Sequence, residues 1–450
     1  MKRLIFFFIL FLFYSNVVWA SPGGGTARFE KRVVEFTLPN GMKWMLVKNG
    51  EAPVFAGAVM VKAGGVDEVR GKTGIAHLLE HMAFKGTKDI SGEELWEAFL
   101  QNGANDVNAW TAKDMTTYHA AMPASKVELW LYLTSEILFN SVMKDFYKER
   151  DVVTEEYTGS VENRPYGKMN KALLAAAFKE GGYGWPVIGI KDDLIKLEAS
   201  DATDFKKRLY VPTLMTGSIA GNIDIERTKE LIARYFGRFH VAQTFRSANI
   251  GRSKDLRYIS EKGEGMKRES VTFDASKNFM MAFHKPTLPT RDDYVFDVIT
   301  YLLCYGENSR LTKKLVYEKR LIRTISCDSS VPGARFDNLF LMLAEPIGGT
   351  SYKEAEAAID AELEGLKNEK VTTGELEKII NNISKDFYFE VATNEGITQD
   401  LASYQTLAGD WRYMTRRLET IETITPEDVM DVAKRYFVDD NKIVVELERP

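Results

Sequence analysis

Cysteine is nearly absent from this chain: Cys304 and Cys327 are the only two in 450 residues. That excludes a small disulfide-stapled scaffold and leaves no thiolate set for a cysteine-rich structural zinc site. Histidine is almost as scarce, five in all, with no His-rich tract of the kind that marks metal storage. A cationic excess is missing as well. Lys and Arg number 59 against 64 Asp and Glu, a net charge of −5, which argues against a nucleic-acid partner. The apolar run at residues 4–13 is too short for a membrane-spanning helix, which needs about 20 residues.

That short run has another reading. Lys2 and Arg3 precede it, and Val18-Trp-Ala20 follows ahead of Ser21. A charged start, a short greasy core and small residues at −3 and −1 describe a cleavable signal peptide over residues 1–20. The expectation is an exported protein, periplasmic or extracellular, with no stable membrane anchor. No cysteine stands near the cleavage point, so a lipoprotein anchor is excluded. Cys304 and Cys327 have the oxidising surroundings in which to pair. Cys304 follows Leu302-Leu303 on an apolar helix face, however, and a buried free thiol is expected there.

What the chain does have is concentrated in five residues, His77-Leu-Leu-Glu-His81, inside a segment at 74–87 that reads as one short helix. Residues three and four apart share a helix face, so His77, Glu80 and His81 project together. Two imidazoles so placed can grip one Zn²⁺, and a carboxylate beside them can take a proton from water. This is the H-x-x-E-H arrangement of the inverzincins. Catalytic zinc wants a third protein ligand. Glu149 and Glu156 stand seven residues apart, two helical turns, and share a face, while Glu155 points about 100° away. Glu156 presented to a metal would put Glu149 one layer behind it.

The histidine motif and the Glu149-Arg-Asp-Val-Val-Thr-Glu-Glu156 segment, with Glu156 following His81 by 75 positions, resemble the pitrilysin/insulinase metallopeptidase family. The likeness is to its short bacterial members and to the mitochondrial processing peptidase beta subunit. It implies His77, His81 and Glu156 as ligands of one Zn²⁺ per chain, Glu80 as general base, and Glu149 as a residue behind the ligands. Asn108-Ala-Trp-Thr111 is similar to the family's substrate strand, which implies Asn108, Ala109, Trp110 and Thr111 as substrate-binding residues. Extended peptide would add to its edge through backbone hydrogen bonds.

Mature length exceeds what one core usually supports, so two domains are expected. Strands are expected at 33–38, 43–47 and 54–62. Asn40-Gly41 and Asn49-Gly50 between them both signal hairpins. Ser91-Gly-Glu-Glu94 is a capping box opening a helix to Gln101. Further helices are expected at 124–139, 145–161 and 224–236, with a strand at 217–220. Residues 241–268 are short of aliphatics and read as a linker. Helices at 200–211 and 425–438, ending Arg-Leu-Tyr-Val and Arg-Tyr-Phe-Val, hint that the second half repeats the first. The expected fold class is α+β. It has an N-terminal zinc-binding catalytic domain (29–240) and a C-terminal non-catalytic homologous domain (269–450). Each is a mainly antiparallel sheet packed with helices, and the two form a clamshell. The second half holds no His-x-x-Glu-His.

The resemblance implies a zinc metalloendopeptidase acting on extended or unfolded polypeptide. It also carries a departure. Family members that act alone hold an arginine and, seven residues on, a tyrosine in the second domain. Val316 and Arg323 stand at those positions here. The expected partner is therefore a homologous subunit supplying the Arg/Tyr pair, or a second copy in a homodimer. The alternative reading is a non-catalytic peptide-binding or scaffold subunit.

Overall fold

The computed structural model describes residues 22–239 and 265–450. The expected signal peptide and residues 241–264 of the expected linker lie outside the described residues. Lys267 and Arg268, expected in the linker, instead open a strand. Their charges hide it, because it lies at a sheet edge with mostly exposed side chains.

Two sheets organise the chain. The first contains β1 (Val33–Thr37), β2 (Lys43–Lys48), β3 (Val54–Val61), β4 (Asn105–Thr111), β5 (Thr116–Pro123) and β6 (Met215–Gly221), in the order β1-β2-β6-β3-β5-β4. The second contains β7 (Lys267–Thr272), β8 (Phe279–Lys285), β9 (Ile322–Val331), β10 (Asn338–Pro346) and β11 (Lys442–Glu448), in the order β7-β11-β8-β10-β9. Apart from β1 the two orders are the same. The β2–β6 and β7–β11 pairs are parallel and every other pair is antiparallel.

Of the two Asn-Gly signals only the first makes a hairpin, β1 to β2. Asn49-Gly50 does not, because β6 lies between β2 and β3. All three strands are apolar runs buried on both faces, and central places in a sheet go to such runs. A close approach helps: a side chain at Gly217 of β6 would sit 2.4 Å from the Trp44 ring of β2.

Helices form where the spacing and caps predict. Ser91 caps Gly92–Leu100, its side chain accepting from the Glu94 amide while the Glu94 carboxylate accepts from Ser91. The expected helix at 200–211 begins at Ala199 with Glu198 as cap, and Thr425 caps Pro426–Tyr436 with Asp428. Among the described residues, no helix is long and apolar enough to cross a membrane.

The free thiol expected at Cys304 is not found. Cys304 and Cys327 form a disulfide, Cα–Cα 5.6 Å, joining the end of helix Arg291–Cys304 to β9. Cys304 is the last residue of its helix and only half-buried, at the margin of the second half's core, where it meets the neighbouring strand.

The two halves exchange cover. Helix Pro165–Ala177 of the first packs on β7, β8 and β11, and helix Asn394–Ala408 of the second packs on β2, β3 and β6. Met169, Leu173 and Leu174 thereby share an apolar cluster with Met280, Ala282 and Val445. The result is a two-domain α+β clamshell with a covered seam.

Candidate metal centre

The histidine motif lies on helix Ile75–Ala83. Leu78, Leu79 and Met82 anchor one face in the core of the first half. Gly74, φ 85°, starts the helix where a side chain would sit 2.5 Å from the Ile188 carbonyl oxygen. The Glu68 carboxylate holds that end, accepting from the amides of Gly74 and Ala76 and the Trp185 indole, each at 3.0 Å. Burial pushes the Glu68 carboxyl up to about 7 against those hydrogen bonds. Lys113 lies in the same buried nest, its ammonium donating to the Gly182 and Trp185 carbonyls.

Sequence reading assigned no role to Glu68, Lys113 or Trp185. Their partners lie far along the chain and no periodicity links them. The only available signal was an acidic residue just before a helix start, where a carboxylate suits the positive end of the helix dipole.

Helix Phe146–Tyr157 packs against the histidine helix. Glu156 faces both imidazoles, 3.8 Å from His77 Nε2 and 3.5 Å from His81 Nε2. One ligand atom from each of His77, His81 and Glu156 lies within 4.8 Å of the others. Glu149 stands behind them: one carboxylate oxygen is 3.0 Å from His81 Nδ1, the other 2.5 Å from Lys85 Nζ. Burial acts to raise Glu149, but the Lys85 and His81 contacts hold it below the ordinary carboxylate range. It is thus an anion that fixes His81 with Nε2 free for a ligand. His77 is pushed down to about 4 by burial and by His81 beside it, so its ring is neutral at neutral pH. Glu155 is exposed and is not one of the three converging ligand residues.

Two imidazole nitrogens and one carboxylate are the three protein donors of catalytic zinc. The residues fit that ion.

Glu80 is buried beside the ligands. Burial raises its carboxyl above the usual range, opposed by His81 and by the Thr111 hydroxyl, which donates to it at 3.1 Å. Thr111 ends β4, the outermost strand, whose outer edge pairs with no strand among the described residues. Ala109 packs on the same side as Thr111, in the core under the histidine helix. Trp110 faces the opposite side and packs with Met60, Met115, Ala402 and Leu407. Asn108 is exposed and accepts from the Ala109 amide. Of the four expected substrate residues, Thr111 is the one that touches the site. Val316 is packed against the core of the second half, and Arg323 is 62% exposed and paired with Glu345 at 3.1 Å.

Comparison with known proteins agrees with this geometry. Residues 44–190 match the family described as insulinase (peptidase family M16), and residues 196–383 match the peptidase M16 inactive domain. The zinc protease PqqE of Helicobacter pylori is 26% identical over 421 residues, 92% of each chain. The mitochondrial-processing peptidase subunit beta of Blastocladiella emersonii is 29% identical over 203 residues, 45% of this chain and 43% of that one. The crystal structure of a protease from Helicobacter pylori superposes with a TM-score of 0.86 at 25% identity, covering 92% of this chain and 99% of that one. The periplasmic protease PqqL of Escherichia coli, TM-score 0.74 at 17% identity, shares the fold over 93% of this chain and 48% of its own. With a helix-borne His-Glu-His set in one half and a matching inactive repeat in the other, the chain belongs to the insulinase family of peptidases, family M16.

Proposed function

We propose that the chain is an exported zinc metalloendopeptidase that hydrolyses extended or unfolded polypeptide. Residues 29–240 are its catalytic domain and 269–450 its non-catalytic partner domain. The observation that carries the reading is the convergence of His77, His81 and Glu156 within 4.8 Å, with the buried Glu80 carboxyl beside them. Zn²⁺ held there supplies Lewis acidity toward a water and the scissile carbonyl.

The protein's own groups do the rest. Glu149 orients His81, and Thr111 orients Glu80. Glu80 takes the proton of the attacking water and hands it to the leaving amine. The outer edge of β4 offers backbone amides and carbonyls to a peptide strand, so recognition is of extended chain more than of one sequence. Export rests on the charged, short-cored start of the chain and on the periplasmic protease among its structural relatives.

A second reading, activity completed by a homologous subunit, rests on Val316 being packed against the core of the second half and Arg323 being paired with Glu345. One experiment addresses ligands and activity together. The purified chain is assayed for zinc and for cleavage of a quenched fluorescent peptide, alone and with a homologous chain carrying the Arg/Tyr pair. One zinc per chain is expected, with Glu156→Gln losing it and Glu155→Gln keeping it. Equal zinc in both variants removes the ligand assignment. High specific activity from a lone monomer removes the need for a partner but keeps the peptidase.

A further inference from the structure

A cavity of about 1390 Å³ lies in the seam between the halves. Strands β2 and β6 begin on its wall, Lys62 enters it just past the end of β3, and the last turn of helix Asn394–Ala408 lines it from the second half. Its charge is lopsided. Lys43, Lys62, Arg70, Lys179, Arg208 and Arg335 line it against the carboxylates of Asp67, Glu68 and Glu180. Two of those carboxylates are already engaged. Asp67 accepts from the Arg335 guanidinium at 2.9 Å, and Glu68 holds the start of the histidine helix. Glu180 is exposed.

The cations are less well matched. Lys43 pairs with Glu35 at 3.0 Å, but Lys62, Arg70 and Arg208 form no ion pair among the described residues. Arg70 donates to the Lys179 carbonyl at 3.2 Å and lies over the Trp185 ring, and Arg208 lies over Phe205. Both arginines are exposed, and water alone can satisfy them. Lys62 differs, because it is half-buried. Burial and the Arg335 charge pull its ammonium below the usual lysine range, with Asp67 and Asp114 opposing. An ammonium drawn out of water beside another cation is unfavourable until an anion joins it.

A second feature, independent of charge, points to the same absent ligand. Thr406 lines the cavity from the second half at 4% exposure, and its hydroxyl has no hydrogen-bond partner among the described residues. Buried hydroxyls are rarely left so, and a helical threonine usually donates to a carbonyl three or four residues back. Thr398, on the same helix, does this with the Glu395 carbonyl at 2.9 Å. The Thr406 hydroxyl is free to donate elsewhere.

The ligand that answers these groups is anionic, multiply charged and organic. One charge would leave the other cations unanswered. The space exceeds the roughly 300–1,000 Å³ of ordinary small-molecule pockets, far more than one inorganic ion needs. We propose that the seam cavity binds a small organic anion with two or more phosphate or carboxylate groups, held by Lys62 and Arg208 of the first half and the Thr406 hydroxyl of the second. Such a ligand ties the halves together, and its binding does not depend on the peptidase reading.

The test uses full-length zinc-loaded protein, titrated calorimetrically at constant ionic strength with fructose bisphosphate and with trimesate, zinc content being followed throughout. One anion per chain is expected. Binding by one probe alone assigns the head group, and binding by both shows that charge is what is read. Lys62→Met should weaken binding at least ~30-fold, the effect of losing a buried charge partner. Thr406→Val should weaken it about 10-fold, the effect of one hydrogen bond to a charged group. Arg208→Gln, an exposed change that leaves the core intact, should weaken it ~2–5-fold. Without ligand, Lys62→Met and Thr406→Val should hold or raise the thermal midpoint, since each removes a group with no partner. With saturating anion, wild type should melt above both. Failure of both probes to bind below ~1 mM overturns the site. So does binding that follows zinc content and ignores all three variants, which would put the anion on the metal. Variants that lower the ligand-free midpoint while binding as wild type would make Lys62 and Thr406 structural groups, and the proposal would fall.

Discussion

At the scale of single residues, the site was legible where chemistry and spacing coincide. His77, Glu80 and His81 could be read because helical periodicity puts them on one face, and Glu149 and Glu156 because seven residues make two turns. Glu68, which caps the histidine helix from six residues before Gly74, was not legible, since only the folded chain brings Trp185 to it. The roles proposed for Glu80 and Thr111 give two expectations. Glu80→Gln keeps shape and zinc but cannot accept a proton, so peptide hydrolysis should fall by ~10²–10⁴ at unchanged metal content. Hydrolysis within a few-fold of wild type would assign the proton to another group. Thr111→Val removes a hydrogen bond that stabilises the Glu80 carboxylate. The carboxyl pKa must then rise further. Because the base works only when ionised, the acid limb of kcat/KM should move to higher pH. An acid limb that stays put, or moves to lower pH, would detach Thr111 from the base.

At the scale of elements, caps and periodicity located the helices, and pairing defeated the sequence. Asn49-Gly50 has the right residues for a hairpin, yet β6, arriving from more than 160 residues downstream, takes the place beside β2. Nothing local to 49–50 records that competition. The cysteines make the same point. Cys304 reads as part of an apolar helix face, but it sits on the last turn, and the strand that meets it begins beyond a π-type turn at 312–318. Closing 23 residues of separation should stabilise the second half by about 3 kcal/mol, mainly through the unfolded chain. The double replacement Cys304→Ala with Cys327→Ala should therefore lower the denaturation midpoint under oxidising conditions and match the reduced wild type. Identical midpoints for oxidised wild type, reduced wild type and double variant would mean the bridge contributes nothing.

At the scale of the whole molecule, the repeat was faint in sequence, carried by two similar helix ends, because the halves keep a strand order rather than residues. Its consequence is mechanical. Each half lends a helix to the other's sheet, so neither half keeps its own apolar face covered if they part. A polar clasp closes the same seam. Arg335, on the β9–β10 connection, donates from both terminal guanidinium nitrogens to the Asp67 carboxylate at 2.9 Å, while Asp114 accepts from the Ala334 and Arg335 amides and from the Tyr183 hydroxyl. Burial works against the Arg335 charge, and Asp67 and Asp114 more than restore it. Asp67 stands seven residues before Gly74, so the clasp also steadies the approach to the histidine helix. Unfolding should therefore be one cooperative transition in calorimetry, zinc loss coinciding with it. Arg335→Met leaves Asp67 without its cation in a largely buried place. It should lower the stability of the whole chain by about 3 kcal/mol, the usual cost of removing one partner from such a pair. The shift should appear as a single displaced peak. Two resolved peaks in wild type, or an Arg335→Met shift confined to one of them, would show that the halves unfold separately and that the exchanged helices do not bind them into one unit.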